Sequence, residues 1–305
     1  MRIAILGATS QLAKDFIIQL RDNHALMLFS RKPKEVDEFM QAAKLRDYLS
    51  FPYHVLPDTQ WYVDAVVNFV GAGDPAKIAA MGSDIFSITY KFDEQAIRFL
   101  RRPNTKYVFI SSGAVYGDNF DVDAATPKTK IVFPSSPTPQ HYYGLAKHQA
   151  EVRHRTLKDK HIVDVRVFNY ISGTQNLDQR FMVMDMIRAV KNNQPMQTNT
   201  MNPARDYIGP ADLAYLIMRV LVSPGCNGTV DCYTRSAINK DTLVMYMQRE
   251  YGMKFEVSDP TFVSSTGLKP FYYSLDRTAE QFGYRPFYGS WENIKLAADT
   301  LLGRT

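Results

Sequence analysis

Short apolar runs rich in β-branched residues alternate with helix-periodic segments through the first third of the chain, and few folds accept that rhythm. RIAILGA ends on a turn glycine, SQLAKDFIIQLRD repeats its apolar residues at helical spacing, and ALMLFSR is apolar again. PKEVDEFMQAAKLR reads as a second helix, YHVLP and DAVVNFVG as strands, DEQAIRFLRR as a helix and KYVFISSG as a strand, with HIVDVRVFNY adding one more. Strands that are apolar throughout and separated by helices are buried on both faces of a parallel sheet. The expected fold is α/β, a doubly wound Rossmann-type parallel sheet. Beyond residue 170 the alternation weakens, Met and Asn become frequent, and aromatics gather in PFYYSL and YRPFYGSW.

Composition removes several classes of function. No apolar run approaches the ~18–20 residues of a membrane helix, and the apolar part of MRIAILGATSQLAK is too short for a leader. Cys226 and Cys232 are the only cysteines, too few for a disulfide framework. No Cys/His cluster has metal spacing, so no metal site is expected, and the reducing cytosol is the expected compartment. The formal charge of +5 is spread along the chain. Without a basic block or a motif it argues against nucleic acid, and it suits an enzyme with an anionic substrate and cofactor.

Gly7 ends the first strand and GATSQLA opens the first helix. A dinucleotide site needs a tight turn there, so that a pyrophosphate meets backbone N–H groups at a helix N-terminus. The usual second and third glycines are Ser10 and Ala13, both small. Gly7, Thr9, Ser10, Gln11 and Leu12 are the expected contacts, an ordinary strand–helix turn being the alternative. At the end of the second strand, where NAD sites carry a carboxylate for the ribose, the chain reads Ser30-Arg31-Lys32. A guanidinium there can grip a 2′-phosphate. NADP(H) is therefore expected in preference to NAD(H), with a solvated basic turn as the plainer reading.

SSGAVYGD follows the KYVFI strand and puts Ser111 and Ser112 beyond a strand's carboxyl end, where ligands of open α/β sheets bind. In HYYGLAKHQAE, Lys147 stands four residues after Tyr143, on the same helical face, whereas Tyr142 has Ala146 at that spacing. A neighbouring ammonium lowers a phenol's pKa toward the range useful for proton transfer. His141 and His148 flank the motif and read as packing residues. FMVMDMIRAV reads as core or dimer interface.

Seven segments in order, ILGATSQLA, DAVVNFVG, FISSGAVYGD, YGLAKHQAE, RVFNYISG, ARDYIGPADLA and LDRTAEQFGYRP, resemble the extended short-chain dehydrogenases/reductases, the nucleotide-sugar epimerases, dehydratases and reductases. The SQLA loop is similar to that of dTDP-4-dehydrorhamnose reductases. The resemblance implies Ser112, Tyr143 and Lys147 as catalytic residues, with Phe69, Val70 and Gly71 beside the cofactor. Ser111, Asn169 and Arg205 would lie beside a nucleotide-diphosphate sugar, an Arg205–Asp206 or Arg205–Asp212 pair being the structural alternative for the last. It also implies a homodimer built on the helix of YYGLAKHQAEVRHRTLK. The chain departs from the family in the missing glycines, in a crossover shortened to PDTQWYV that would alter an adenine pocket around Asp58, and in having no Asn near Thr89. Gly113 and Ala114 stand where the family's dehydratases carry an acid, which disfavours elimination.

The expected organisation is a dinucleotide-binding part over 1–168, rejoined around 204–232, and a mainly substrate-binding region over 169–305. The expected function is NADP(H)-dependent reduction of a nucleotide-linked 4-keto (6-deoxy) sugar, with Tyr143 as proton donor. A nucleotide-sugar 4-epimerase is the alternative within enzymes, and a non-catalytic dinucleotide sensor or RNA-binding member is the alternative outside them.

Overall fold

In the computed structural model, which describes residues 1–58, 62–71, 75–257 and 269–304, the first apolar run forms strand β1 (Arg2–Leu6). Ile3 to Leu6 are all without exposure, so neither face of the strand sees water. Around it lie β2 (Ala25–Ser30), β3 (Tyr48–Pro52), β4 (Ala65–Asn68), β5 (Lys106–Ser112), β6 (His161–Val167) and β7 (Asn227–Asp231). They form one seven-stranded sheet in the order β7-β6-β5-β4-β1-β2-β3, parallel throughout. Chain direction across the sheet reverses between β1 and β4, and a crevice for ligands opens at the carboxyl ends there.

Alternate residues of β1 serve different cores. Ile3 and Ile5 pack with helices α1 (Gln11–Leu20), α2 (Pro33–Ala42) and α7 (Pro210–Val222), while Ala4 and Leu6 pack with α4 (Asp84–Ile97) and α5 (Pro139–Thr156). A short α3 (Pro75–Met81) precedes α4. Helices α6 (Met182–Asn192), α8 (Lys240–Tyr251) and α9 (Ser290–Leu301) enclose a separate core containing Met184, Met186, Met247 and Ile294. The methionine run is therefore packing. The helix caps follow local chemistry. Ser10 Oγ accepts from Ala13 N–H at 3.3 Å, and Thr138 and His141 form a reciprocal box at the start of α5.

Two elements differ from the expectation. The third strand is Tyr48–Pro52, in register with Leu26–Ser30, and YHVLPD forms a 3₁₀ turn. Pro52 and Pro57 cannot donate to a ladder, which ends the strand early. The side chain of Asp58 and residues 59–61 of the shortened crossover lie outside the described residues. Helix α4 begins well before DEQAIRFLRR. Its buried face is Ile85, Thr89, Asp93 and Ala96, and the two polar members hide the apolar period. No helix among the described residues is long and apolar enough to cross a membrane.

Candidate active site

The turn after β1 is built around a backbone conformation that side chains resist. Gly7 has φ +83°, and a Cβ there would lie 2.9 Å from the Phe69 carbonyl carbon and 3.0 Å from Val70 N. Gly7 and Ala8 N–H both donate to Phe29 O, at 3.0 and 3.1 Å. The N-terminus of α1 thus faces the crevice between β1 and β4. A bare backbone cradle at a helix N-terminus fits a pyrophosphate. The Gln11 side chain is used otherwise: Nε2 donates to Asp15 Oδ2 at 3.0 Å and also to Thr174. Asp15 accepts from the Tyr170 hydroxyl at 2.7 Å and from Thr174 Oγ1 at 2.6 Å. Leu12 packs against the core. What Thr9 to Leu12 offer a ligand is therefore mostly backbone N–H.

Ser30 is fully buried at the end of β2, its Oγ accepting from Lys32 N–H at 3.1 Å. Lys32 pairs with Glu35 at 2.5 Å on the surface. Arg31 is exposed, in no ion pair among the described residues, and no carboxylate ends this strand. Tyr53, just past β3, was not anticipated. Burial pushes its phenol up to about 12, while the Gly7 N–H and the Arg31 charge oppose that rise. It opens YHVLP, which reads as a strand, so no local pattern pointed to it.

Past β4, Val70 N–H donates to Asn68 Oδ1 at 2.9 Å, and Gly71 lies beside Lys147, 3.4 Å from the ammonium for a Cβ built there. Ser111 turns inward and donates to Glu151 Oε1 at 2.6 Å. Ser112 faces the crevice instead. Its Oγ accepts from Ala114 N–H at 3.2 Å, and its hydroxyl is among the groups that hold down the Tyr143 and Tyr272 phenols. Gly144 lets α5 come this close, since a Cβ there would stand 2.3 Å from Ala114 O. Tyr142 points to α4, its ring 5.7 Å from Phe86.

Lys147 is buried and donates to Ile110 O at 2.8 Å and Val70 O at 3.5 Å. Burial draws its ammonium down to about 8 against the pull of Asp93, Glu151 and Asp164. Its Nζ stays 6.0 Å from the centroid of Tyr143. Burial, then the Tyr272 phenol, raise Tyr143 well above the ordinary phenol range, and the hydrogen bond from Ser112 opposes them. Burial outweighs any lowering by the lysine, whose ammonium turns to the Ile110 and Val70 carbonyls.

Arg205 is buried against the same centre, donating to Ala204 O at 2.8 Å and Lys269 O at 2.6 Å. Neither aspartate pairs with it. Asp206 accepts from Thr234 N–H and Ser290 Oγ, both at 2.8 Å, and Asp212 from Phe287 and Tyr288 N–H. Asn169 Nδ2 donates to Asp206 O at 3.1 Å and Tyr272 O at 3.5 Å. Lys269 donates to Gly117 O at 3.0 Å. Arg205 and Lys269 flank the Tyr272 ring at 5.9 and 5.4 Å. His141 is a cap: Nδ1 accepts from Thr138 N–H, so Nε2 donates to Asp118, each at 3.0 Å. His148 packs beside Phe133.

Two buried polar chains lie behind these groups, and no local pattern announced either. Asn68 donates to Tyr107, Tyr107 to Asp93 at 2.9 Å, and His154 bridges Asp93 and Asp164 at 2.7 and 2.6 Å. Arg166 grips Glu151 with two nitrogens, at 3.0 and 2.6 Å, and donates to Tyr116 at 3.0 Å. Tyr116 donates to Asp231 at 2.8 Å. Among the described residues no cluster of three possible metal ligands occurs.

A sequence search of curated proteins returns no match. Among solved structures, a UDP-N-acetylglucosamine 4-epimerase from Methanobrevibacter ruminantium M1 in complex with UDP-N-acetylmuramic acid superposes with a TM-score of 0.82 at 14% identity, over 100% of this chain and 99% of that one. A UDP-glucose 4-epimerase from Thermotoga maritima with UDP-glucose gives 0.79 at 14% identity, over 100% and 99%. A dTDP-glucose 4,6-dehydratase from Bacillus anthracis in complex with NAD gives 0.75 at 15% identity, over 98% and 96%. The fold is shared with all three. The pattern that defines the NAD dependent epimerase/dehydratase family matches residues 3–231, and with the parallel sheet, the Gly7 turn and the serine–tyrosine–lysine crevice in view, the chain belongs to that family of extended short-chain dehydrogenase/reductase enzymes.

Proposed function

We propose that this enzyme is an NADP(H)-dependent reductase of a nucleotide-linked 4-keto sugar, a 4-keto-6-deoxy sugar foremost. The observation that carries the reading is the end of β2, where an exposed Arg31 without an ion-pair partner among the described residues and a buried Ser30 occupy the place of the ribose-binding carboxylate. The backbone cradle at Gly7, with Phe69, Val70 and Gly71 across the crevice, would hold the dinucleotide. When bound, NADPH supplies a hydride to the carbonyl carbon. Ser112 would hold the carbonyl oxygen, and Tyr143 would give it a proton. A phenol that burial keeps protonated at neutral pH suits that direction. Lys147 would anchor the nicotinamide ribose. Arg205, a desolvated guanidinium without a carboxylate partner among the described residues, suits a diphosphate, with Lys269 beside it. Asn169 and Ser111 support the substrate side through their contacts to the backbone and to Glu151.

The direct test mixes purified protein with NADPH and a nucleotide 4-keto-6-deoxy sugar. Oxidation of NADPH is expected. Failure with every such sugar, together with NAD that stays bound through purification, would sink the reading in favour of a 4-epimerase. That second reading is supported by the named activities of the neighbours and the NAD bound in several of them.

Arg31→Asp is expected to invert the cofactor preference. A charge-assisted hydrogen bond contributes about 1.5–3 kcal/mol, so NADPH should bind roughly 10- to 100-fold more weakly, with NADH little changed or improved. Fluorescence titration with both nucleotides checks it, and equal weakening of the two would refute the 2′-phosphate role.

A homodimer through α4 and α5 is part of the proposal. Tyr90 on α4 and Val152 on α5 are large and exposed, 54% and 51%, and Arg153 stacks on Tyr90 at 4.9 Å. Val152→Arg should shift the protein from dimer to monomer in light scattering without loss of fold. A wild-type monomer would overturn this part.

A further inference from the structure

The chain's positive charge is scattered along the sequence, but the fold gathers it at one end. In a parallel sheet every strand begins at the same edge, so the turns that lead into the strands share one face, opposite the crevice. Taken through the first residue of each strand, these turns are 1–2, 21–25, 43–48, 62–65, 98–106, 157–161 and 223–227. They hold ten of the 36 lysines and arginines but only four of the 31 acidic residues, which leaves the rest of the chain slightly negative. The whole net charge of +5 therefore belongs to the face at the amino ends of the strands. A cleft lined by Arg2, His24, Asp47, Tyr62 and Arg102 shows that turns from five strands meet there.

Local structure does not account for this charge. Helix C-termini attract cations, yet the end of α5 is capped by Asn227, which donates to His154 O and Leu157 O at 3.0 and 2.8 Å. The end of α7 is met by Lys106, at 2.8 Å from Leu221 O. Arg98 pairs with Glu94 and Lys160 with Asp159. Arg21, Lys44, Arg101 and Lys158 are exposed and in no ion pair among the described residues. Arg21 and Lys44 also have φ of +50° and +57°, just past α1 and α2, where glycine is the usual choice. Two cations thus stand where the backbone favours having no side chain.

The charges cover an area. From the turn before β6 to the turn before β3 is five strand spacings, roughly 24 Å. Arg21, Lys44 and Arg46 follow the helices on one side of the sheet, and Arg101, Arg102 and Lys158 follow those on the other. A nucleic-acid strand follows a line of cations and stacks its bases on open rings. Here the Tyr62 ring is already covered by Arg102 at 3.6 Å. Tyr62 and Val222 are exposed on the same face, and apolar side chains among cations suit the boundary of a bilayer. We propose that this face docks on an anionic lipid bilayer, its cations at the headgroups, with the crevice turned away from the lipid and open to water. The proposal does not depend on which substrate the crevice takes.

The test is cosedimentation of the full chain with vesicles of phosphatidylcholine alone and of phosphatidylcholine mixed equally with phosphatidylglycerol. Binding is expected only to the mixed vesicles, with release at ~1 M salt, where the screening length falls to ~3 Å. Arg101→Glu together with Lys158→Glu changes the face by four charges. At roughly fivefold per charge, it should weaken binding at least about 100-fold without moving the melting temperature. Lys44→Gly should weaken binding roughly fivefold while the melting temperature holds or rises, which separates docking from folding. Equal binding to both vesicles, binding to neither, or full binding by the charge-reversed protein would each overturn the proposal. Tighter binding to single-stranded polyuridine RNA than to the mixed vesicles, read by fluorescence anisotropy, would overturn it in favour of nucleic acid.

Discussion

Tyr143→Phe is expected to lower turnover by about 10²–10⁴-fold, the usual contribution of a positioned proton donor, while the melting temperature and the affinity for NADPH stay close to those of the wild type. The substitution keeps the ring that Lys147 approaches at 6.0 Å and removes only the hydroxyl at Ser112. Ser112 retains the Ala114 N–H as a partner. The measurement is NADPH oxidation beside thermal unfolding of both proteins. Activity within a few-fold of wild type would remove Tyr143 from the chemistry and reopen the non-catalytic reading of the chain.

His154→Leu is expected to produce the largest loss of stability. The imidazole is wholly buried between Asp93 and Asp164. Removing one member of a buried, hydrogen-bonded charge set leaves the others uncompensated, at a cost of about 3–5 kcal/mol. At roughly 2 °C per kcal/mol for a large domain, the melting temperature should fall by about 6–10 °C. The effect should depend on pH. Burial alone would draw the imidazole down, but the two carboxylates outweigh it and lift it to about 9. A folded value above the ordinary ~6.5 means that the stabilisation is complete below that pH and fades as pH rises through about 9. The gap between wild type and variant should therefore narrow across that window. A gap that stays constant would show that the histidine is held for its shape and not its charge.

The parallel sheet was readable because β1, β2, β4 and β5 are largely apolar on both faces and pair with one another, so each run carries its own burial signal. Strand β3 was misread because its flanking segment YHVLP is as apolar as the strand, and only the ladder to Leu26–Ser30 distinguishes them. Lys147 at four residues from Tyr143 was readable, because helical spacing is local. That the lysine would spend itself on Ile110 O was not, because the acceptor lies 37 positions away. Tyr272 was one aromatic among several in PFYYSL, and His154 one basic residue among several in EVRHRTLK. Both acquire their surroundings from elements distant in the chain, a relation that periodicity does not encode.

Distance along the chain also fixes an order of events. Ser112 and Tyr143 lie in the first half of the sequence, yet the groups that enclose them arrive near its end. Lys269 reaches Gly117 across 152 positions, and Ser274 reaches Ala125 across 149. Chains fold largely from the N-terminal side as they are made, and contacts across such separations form late. The sheet and its nucleotide cradle can therefore be complete on a nascent chain while the reaction centre is still open to water. The crevice around Ser112 closes only when the last segments of the chain dock.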